Sequence, residues 1–260
     1  MFLIILASLI LAKLNSHLLG FQILNPDETQ MISNAIGIFN KGIQFLDFDG
    51  TTSGILNSLI LGWPQIFKLD ITFLTTRITS IILVTIILYC LTKIIYFQTK
   101  KVTYTLFLIG PIWIFFLLTK DPDFSHYSTE LFSVTLLITS YLIIIFDRNF
   151  NNKTSLIILP TLLGLVLFAK IQFFPVAFLI FSIAIFEFYL QKKKISKYFI
   201  FSFFYLLPSI ILFFLIFISG NLEDFLINNF LFTYDFISFS QSENILFDVY
   251  SENKINTEAS

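Results

Sequence analysis

The sequence predicts an all-α fold, a polytopic membrane helical bundle of about seven transmembrane helices with a surface-lying amphipathic helix in the first outer loop. Three observations predict it. The 260-residue chain is 56% apolar and only 13% charged, and its mean hydropathy of +0.85 exceeds that of soluble domains. Apolar runs close to the 20 residues that cross a bilayer recur along the chain. Basic and acidic residues also fall into alternate loops.

Composition excludes several classes of protein. With a net charge of −1, the chain lacks the excess of basic residues that is typical of nucleic-acid-binding proteins. The single cysteine, Cys90, excludes an intramolecular disulfide framework and a cysteine-rich metal site. We interpret the 35 phenylalanines as general hydrophobicity rather than as a sign of a ligand site, because AT-rich coding sequences also favour this residue.

Six apolar runs predict spanning helices. They are 71–91, 102–119, 127–146, 155–169, 173–190 and 198–219. A seventh span at the N-terminus needs polar residues, since the apolar run 1–12 must be extended through Lys13, Asn15 and His17. A cleaved signal peptide is the alternative, but the run lacks a basic leader and an Ala-x-Ala cleavage site, which favours a first spanning helix.

Basic residues in short loops predict which side faces the cytoplasm. Alternate loops hold nine of the 16 basic residues, namely Lys93, Lys100, Lys101, Arg148, Lys153, Lys192, Lys193, Lys194 and Lys197. We therefore expect a multi-pass protein of the cell (inner) membrane, with the remaining loops facing the periplasm or exterior.

The outer loops are acidic. They contain Asp27, Glu28, Asp47, Asp49, Asp70, Asp121, Asp123, Glu130, Glu223 and Asp224. Because acidic residues contribute little to topology, this distribution favours chemistry on the outer face. The alternative is that outer loops are longer and more hydrated.

The first outer loop begins with a helix signal. Asn25 can cap a helix, Pro26 suits its first position and Glu28 completes a capping box. The apolar stripe that follows predicts a helix along the membrane surface, and it consists of Met31, Ile32, Ala35, Ile36 and Phe39. Its first turn holds Asp27 and Glu28, where the helix dipole favours ionised carboxylates that can accept a proton. Acids are also common in first turns for that reason alone.

The same loop continues with a polar, glycine-containing stretch from Asp47 to Asn57. Its backbone groups could cradle a ligand, or it could be an ordinary turn.

A second acidic cluster lies at residues 121–130. If a helix begins near Pro122, then Asp123, His126, Tyr127 and Glu130 share one face, with His126 and Glu130 one turn apart. The absence of a second histidine nearby argues against zinc. A divalent ion on carboxylates such as Asp121 and Asp123, a hydroxyl-rich ligand, or a plain interfacial turn remain the alternatives.

Two basic residues stand out on the outer side. Arg77 lies about two turns into a predicted span, where a guanidinium needs a partner such as a lipid phosphate or an outer carboxylate like Asp27. Lys170 lies in a short outer turn and could reach a phosphate. Snorkelling to headgroups is the alternative for both.

With this layout the chain resembles the GT-C superfamily of membrane glycosyltransferases, in particular bacterial relatives of the protein O-mannosyltransferases and of the aminoarabinose transferase. The pair Asp27-Glu28 resembles the acidic pair of the family. The segment from Asp47 to Asn57 resembles the one that follows that pair, and His126-Tyr-Ser-Thr-Glu130 is similar to the second-loop segment. The resemblance covers residues 1–220, as one GT-C-like transmembrane domain.

The resemblance implies a function. A sugar would pass from a polyprenyl-phosphate-linked donor to a hydroxyl of a glycan, lipid or protein acceptor on the extracytoplasmic side. Some members of the family need a divalent metal ion and others need no cofactor. Asp27 would be the catalytic base, with Glu28 beside it. The substrate-binding residues would be Asp49, Asn57, Arg77, His126, Tyr127, Glu130 and Lys170, and the candidate metal ligands Asp121 and Asp123.

Residues 221–260 form a polar, extracytoplasmic tail without a full span. Family members usually continue with further helices, so we expect a fragment of a longer enzyme or a minimal version. The alternative function is a non-enzymatic membrane transporter or a flippase for lipid-linked sugars, and a third is a membrane scaffold. A transporter should carry polar groups at mid-membrane, whereas the acids here gather on one face.

Overall fold

The computed structural model describes residues 26–41, 54–119, 126–220 and 222–227. Helices dominate these ranges, which contain no strand. The helices are α1 (Pro26–Lys41), α2 (Ile55–Leu61), α3 (Trp63–Ile66), α4 (Phe73–Thr99), α5 (Val102–Leu118), α6 (Thr129–Phe146), α7 (Lys153–Ala169), α8 (Phe174–Leu190), α9 (Ile195–Ile218) and α10 (Leu222–Leu226), with a 3-10 turn at Ile171–Phe173 before α8. The predicted all-α class is confirmed for this part of the chain.

Four helices are long and apolar enough to cross a membrane. They are α4, α6, α8 together with its 3-10 turn, and α9, while α5 and α7 are shorter apolar helices. These helices account for all six predicted apolar runs. The seventh predicted span lies in residues 1–25, outside the described residues, as do the cap at Asn25 and residues 228–260. The described residues therefore have the helical character of a multi-pass membrane protein.

Helix α4 is longer than predicted. It continues to Thr99, beyond the apolar run that ends near residue 91, and the ammonium of Lys93 lies 5.5 Å from the ring centre of Tyr89. The helix ends at Lys100, which adopts the left-handed conformation with φ 55°.

The long helices alternate in direction, so their connections fall at two ends. Lys193 Nζ donates to Asn151 Oδ1 at 3.1 Å, and the rings of Phe97 and Phe146 are 5.3 Å apart. Residues 97–101, 146–153 and 190–197 therefore share one end of the bundle, which we call the basic end. The opposite end carries α1, α2 and α3, and we call it the acidic end.

Helix α7 lies at the centre of the bundle. It packs against α6, α8 and α9, and its residues Leu159, Leu163 and Val166 are fully buried. Large apolar side chains instead cover the outward faces of the bundle, including Phe107, 77% exposed, and Phe203, 53% exposed. Such a surface suits hydrocarbon rather than water.

Helix α1 is amphipathic and lies against the acidic end, beside α2 and α4. Its buried apolar residues are Met31, Ile32, Ala35 and Ile38. Ile36 and Phe39 of the predicted stripe are 38% and 41% exposed. The ring of Phe39 still packs against Gly62 between α2 and α3.

Candidate functional site

A buried ion pair joins α1 to α4. Arg77 Nη2 donates to Glu28 Oε2 at 3.1 Å, and Arg77 Nε is 3.3 Å from both carboxylate oxygens. Both side chains are almost inaccessible to solvent. The expectation of a carboxylate partner for Arg77 is met by Glu28. Asp27 is the second residue of the same helix, but its side chain lies outside what the structure describes.

His126 and Tyr127 approach the same carboxylate. His126 Nδ1 lies 3.4 Å from Glu28 Oε2, and the backbone N–H of Tyr127 donates to Glu28. Burial raises the pKa of the Glu28 carboxyl above its ordinary value, while the contacts with Arg77 and the Tyr127 N–H act in the opposite direction. Glu28 is therefore the centre of a cluster formed by α1, α4 and the segment before α6.

The start of α6 corrects the predicted geometry of the second acidic cluster. Residues 126–128 are not helical, and α6 begins at Thr129 after Ser128, whose backbone is extended. The carbonyl of His126 accepts a bond from Ser80 Oγ at 3.1 Å, and the N–H of Tyr127 is bound by Glu28. These bonds to α4 and α1 replace helical bonds, so His126 and Glu130 do not lie one helical turn apart.

Asn57 connects three parts of the acidic end. Its Nδ2 donates to the carbonyls of Thr129 at 3.1 Å and Ala169 at 2.6 Å, and its Oδ1 accepts from the Tyr127 hydroxyl at 2.7 Å. The side chain is fully buried. Its amide is thus engaged within the protein, which gives Asn57 the geometry of a brace between α2, α6 and α7 rather than of a ligand contact.

Tyr127 is fully buried beside Asn57. Burial raises the pKa of its phenol well above the ordinary value. The hydroxyl therefore stays protonated and remains a donor to Asn57.

Lys170 and Glu130 form the accessible part of the site. Lys170 Nζ donates to Thr129 Oγ1 at 2.7 Å and also to Glu130 Oε1. The Glu130 side chain is 48% exposed and that of Lys170 is 12% exposed. This arrangement leaves an ammonium near the surface, with a counter-ion that already contacts solvent.

Seven predicted site residues thus belong to one connected set at the acidic end, namely Glu28, Asn57, Arg77, His126, Tyr127, Glu130 and Lys170. Sequence reasoning missed Ser80 and the hydroxyl of Thr129. Ser80 follows Arg77 by three residues on a helix, a spacing that places both on one face. Thr129 lies next to Glu130, and no pattern in the sequence identified it as a site residue.

The remaining predicted residues, Asp49, Asp121 and Asp123, lie outside the described residues. Within the described ranges no group of three or more His, Cys, Asp or Glu side chains could hold a metal ion. The two site carboxylates found there, Glu28 and Glu130, each pair with a cationic side chain instead.

The site is therefore a set of paired charges, with a buried half around Glu28 and an open half around Lys170. Such a set can hold an anion at the open half, where an ammonium and a hydroxyl donate together. Fold alone does not assign a function to it. Comparisons of the chain with protein-family models, with characterised proteins and with solved structures gave no match.

Proposed function

We propose that the chain is an integral-membrane glycosyltransferase that uses a polyprenyl-phosphate-linked sugar at the acidic end of the bundle. The observation that carries the proposal is that four separate predicted segments converge there. Glu28, Arg77, His126 and Lys170 represent these segments, and they belong to one connected set. The resemblance between the sequence motifs and GT-C enzymes supports the sugar-transfer chemistry.

Lys170 is the proposed contact for the phosphate of the donor. A polyprenyl chain lies in the hydrocarbon region, so its phosphate lies at the membrane surface, where the helices end. Lys170 directly follows the end of α7, and its ammonium and the Thr129 hydroxyl lie 2.7 Å apart. The phosphate would take the place of Glu130 as the counter-ion of Lys170.

Asp27 is the proposed base. Glu28 is buried and paired with Arg77, which suits a positioning role rather than proton transfer. Asp27 is its neighbour in the first turn of α1, at the helix end where ionised carboxylates are stabilised. In the proposed step the bond between the sugar C1 and the phosphate oxygen breaks, and a bond forms between C1 and the acceptor oxygen. The acceptor proton passes to Asp27, and the phosphate keeps the bonding electron pair beside Lys170.

The proposal is tested with purified, reconstituted protein, a hexosyl and a pentosyl undecaprenyl phosphate labelled in the sugar, and a cell-envelope fraction as acceptor. We expect D27N to insert normally and to lose transfer by at least about 100-fold in kcat, the scale of general base catalysis. D70N is the matched control, because Asp70 is an exposed carboxylate near the start of α4, and it should retain activity. K170Q should raise KM for the donor about tenfold or more, and K170R should recover part of this loss.

Full activity of D27N would remove Asp27 from the mechanism. If the wild type moves the labelled lipid across the bilayer without forming a glycosylated product, the flippase alternative replaces the transferase.

A further inference from the structure

The basic end of the bundle contains a crevice far from the site described above. It lies between the end of α8 and the first two turns of α9 and has a volume of about 630 Å³. Its walls consist of Tyr189, Lys193, Ile195, Tyr198, Phe199 and Ser202. One basic side chain, three hydroxyl groups and an apolar wall therefore line the same space.

The charge around this crevice is strongly positive. Lys192, Lys193, Lys194 and Lys197 fall within six residues. The acidic groups nearby are engaged locally: Asp147 accepts the backbone N–H groups of residues 151 and 152, and Glu187 accepts from the Gln191 side chain. Among the described residues none of the four lysines forms a salt bridge, since the ion pairs found there lie at the acidic end.

Lys193 and Lys197 have different positions. Lys197 is partly buried, and its Nζ donates to the carbonyl of Phe150 at 2.7 Å, so it ties the first turn of α9 to the connection between α6 and α7. Lys193 Nζ donates to Asn151 Oδ1 at 3.1 Å. An ammonium carries three N–H groups, and this bond uses one of them. Lys193 is therefore held at the wall of the crevice with donors left for an anion.

The apolar wall has the properties of a membrane interface. Ile195 and Phe199 are 74% and 71% exposed, and Tyr189 is 70% exposed. Tyrosine rings favour the headgroup level of a bilayer, with their hydroxyls toward water. The wall continues along the exposed face of α9 through Phe203 and Leu206, which is an acyl-chain environment rather than an aqueous one.

We propose that this crevice binds one anionic glycerophospholipid, with its phosphate against the Lys193 ammonium and an acyl chain along Ile195 and Phe199. Basic pockets between membrane helices on the cytoplasmic side are suited to anionic headgroups, and the positive-inside rule predicts that this end is cytoplasmic. The inference does not depend on sugar transfer.

The test measures binding of phosphatidylglycerol and of phosphatidylcholine to the purified full chain in detergent, by native mass spectrometry with titrated lipid. We expect the wild type to prefer phosphatidylglycerol. K193Q should weaken phosphatidylglycerol binding about fivefold and leave phosphatidylcholine binding unchanged, while K193R should retain binding.

Two further variants separate charge from structure. N151A removes the internal partner of Lys193 and keeps its charge, so it should bind phosphatidylglycerol as well as the wild type. K101Q removes a charge from the same end but outside the crevice and should have little effect. Equal losses in K193Q and N151A would assign the effect to the structure of the turn. Equal losses in K193Q and K101Q would assign it to overall charge. Either result would overturn the proposal, as would competition by soluble sn-glycerol 3-phosphate at concentrations similar to those of the lipid.

Discussion

Arg77 and Glu28 are opposite charges buried together between α1 and α4. Moving two charges out of water is costly, and their mutual attraction compensates only while both are present. Removal of Arg77 leaves the buried Glu28 carboxylate without its arginine counter-ion. The pair therefore matters less for the stability it adds than for the penalty that appears when it is broken.

We expect R77M to lower the free energy of unfolding by about 3–5 kcal/mol at about pH 8. Burial already raises the pKa of Glu28, and the loss of Arg77 removes a group that lowers it. An acid whose folded pKa is raised stabilises the fold below its unfolded pKa of about 4.3 and loses that contribution as the pH rises through the folded pKa. R77M should therefore recover part of its stability near pH 5. Thermal unfolding in detergent across this pH range measures the effect.

The double variant R77M/E28Q is the control, because it buries no charge at this position. Its unfolding temperature should lose the extra pH dependence of R77M. Equal stability of R77M and wild type at about pH 8 would show that the pair has no structural role.

At this scale the sequence predicted that Arg77 needs an anionic partner, either a lipid phosphate or an outer carboxylate, and Glu28 is such a carboxylate. The position of Glu28 beside Arg77 follows from helix phase. Glu28 precedes the buried Met31 and Ile32 by three and four residues, a spacing that places it on the same face. The position of that face became known only once α1 was docked on the bundle.

Helix boundaries were predictable where hydropathy changes sharply and less so where polar side chains fix the backbone. Helices α5, α7 and α8 end within about two residues of the predicted runs. A helix that begins near Pro122 and includes residues 126–128 was the wrong expectation, because Ser80 and Glu28, from distant segments, bind the backbone of residues 126 and 127. No local pattern in the sequence contains these contacts.

The crossing of α7 and α9 depends on a glycine. A Cβ at Gly164 would lie 2.1 Å from the backbone oxygen of Tyr205, closer than any tolerated contact. Small residues at helix crossings allow this close approach in membranes. The crossing therefore sets the distance between the central helix and α9.

We expect G164A to destabilise the protein by about 1–3 kcal/mol through overpacking. G110A is the matched control, because a Cβ at Gly110 meets nothing within 4 Å and alanine is the better helix former. Thermal unfolding in the same detergent compares the two variants. If G164A unfolds at the wild-type temperature, α7 and α9 can move apart to accept the added methyl group without a loss of stability, and the prediction is wrong.

The sequence places basic residues in one set of predicted loops and acidic residues in the other, although the net charge of the chain is only −1. The positive-inside rule predicts that the basic end is cytoplasmic and the acidic end external. The native cysteine, Cys90, is 3% exposed, so introduced cysteines can report on each end separately. Asp70 and Ser196 are exposed positions at the acidic and basic ends.

We expect D70C to react with a membrane-impermeant maleimide in intact cells, whereas S196C should react only after the membrane is permeabilised. The unmodified chain, with Cys90 alone, is the control and should remain unlabelled in both conditions. Labelling of S196C in intact cells, with protection of D70C, would reverse the orientation and place the candidate site in the cytoplasm.

Hydropathy and charge thus predicted the all-α class and helices at the six apolar runs within the described residues. They also predicted that Glu28, His126 and Lys170 lie at the same end of the bundle. They could not predict which acid pairs with which cation. The paired residues lie far apart in the sequence, and the nearby helix α2 is held by Asn57 through backbone carbonyls of Thr129 and Ala169. Carbonyl groups carry no residue identity, so nothing in the sequence indicates their contribution.

The pairing of Lys170 with Glu130 would make the proposed binding of a donor phosphate an exchange of counter-ions rather than an addition. An arriving phosphate releases a carboxylate that is already 48% exposed, so Glu130 regains water at small cost. Lys170 keeps a counter-ion before, during and after the exchange. Its ammonium therefore already has a counter-ion in the empty site, before any anion arrives.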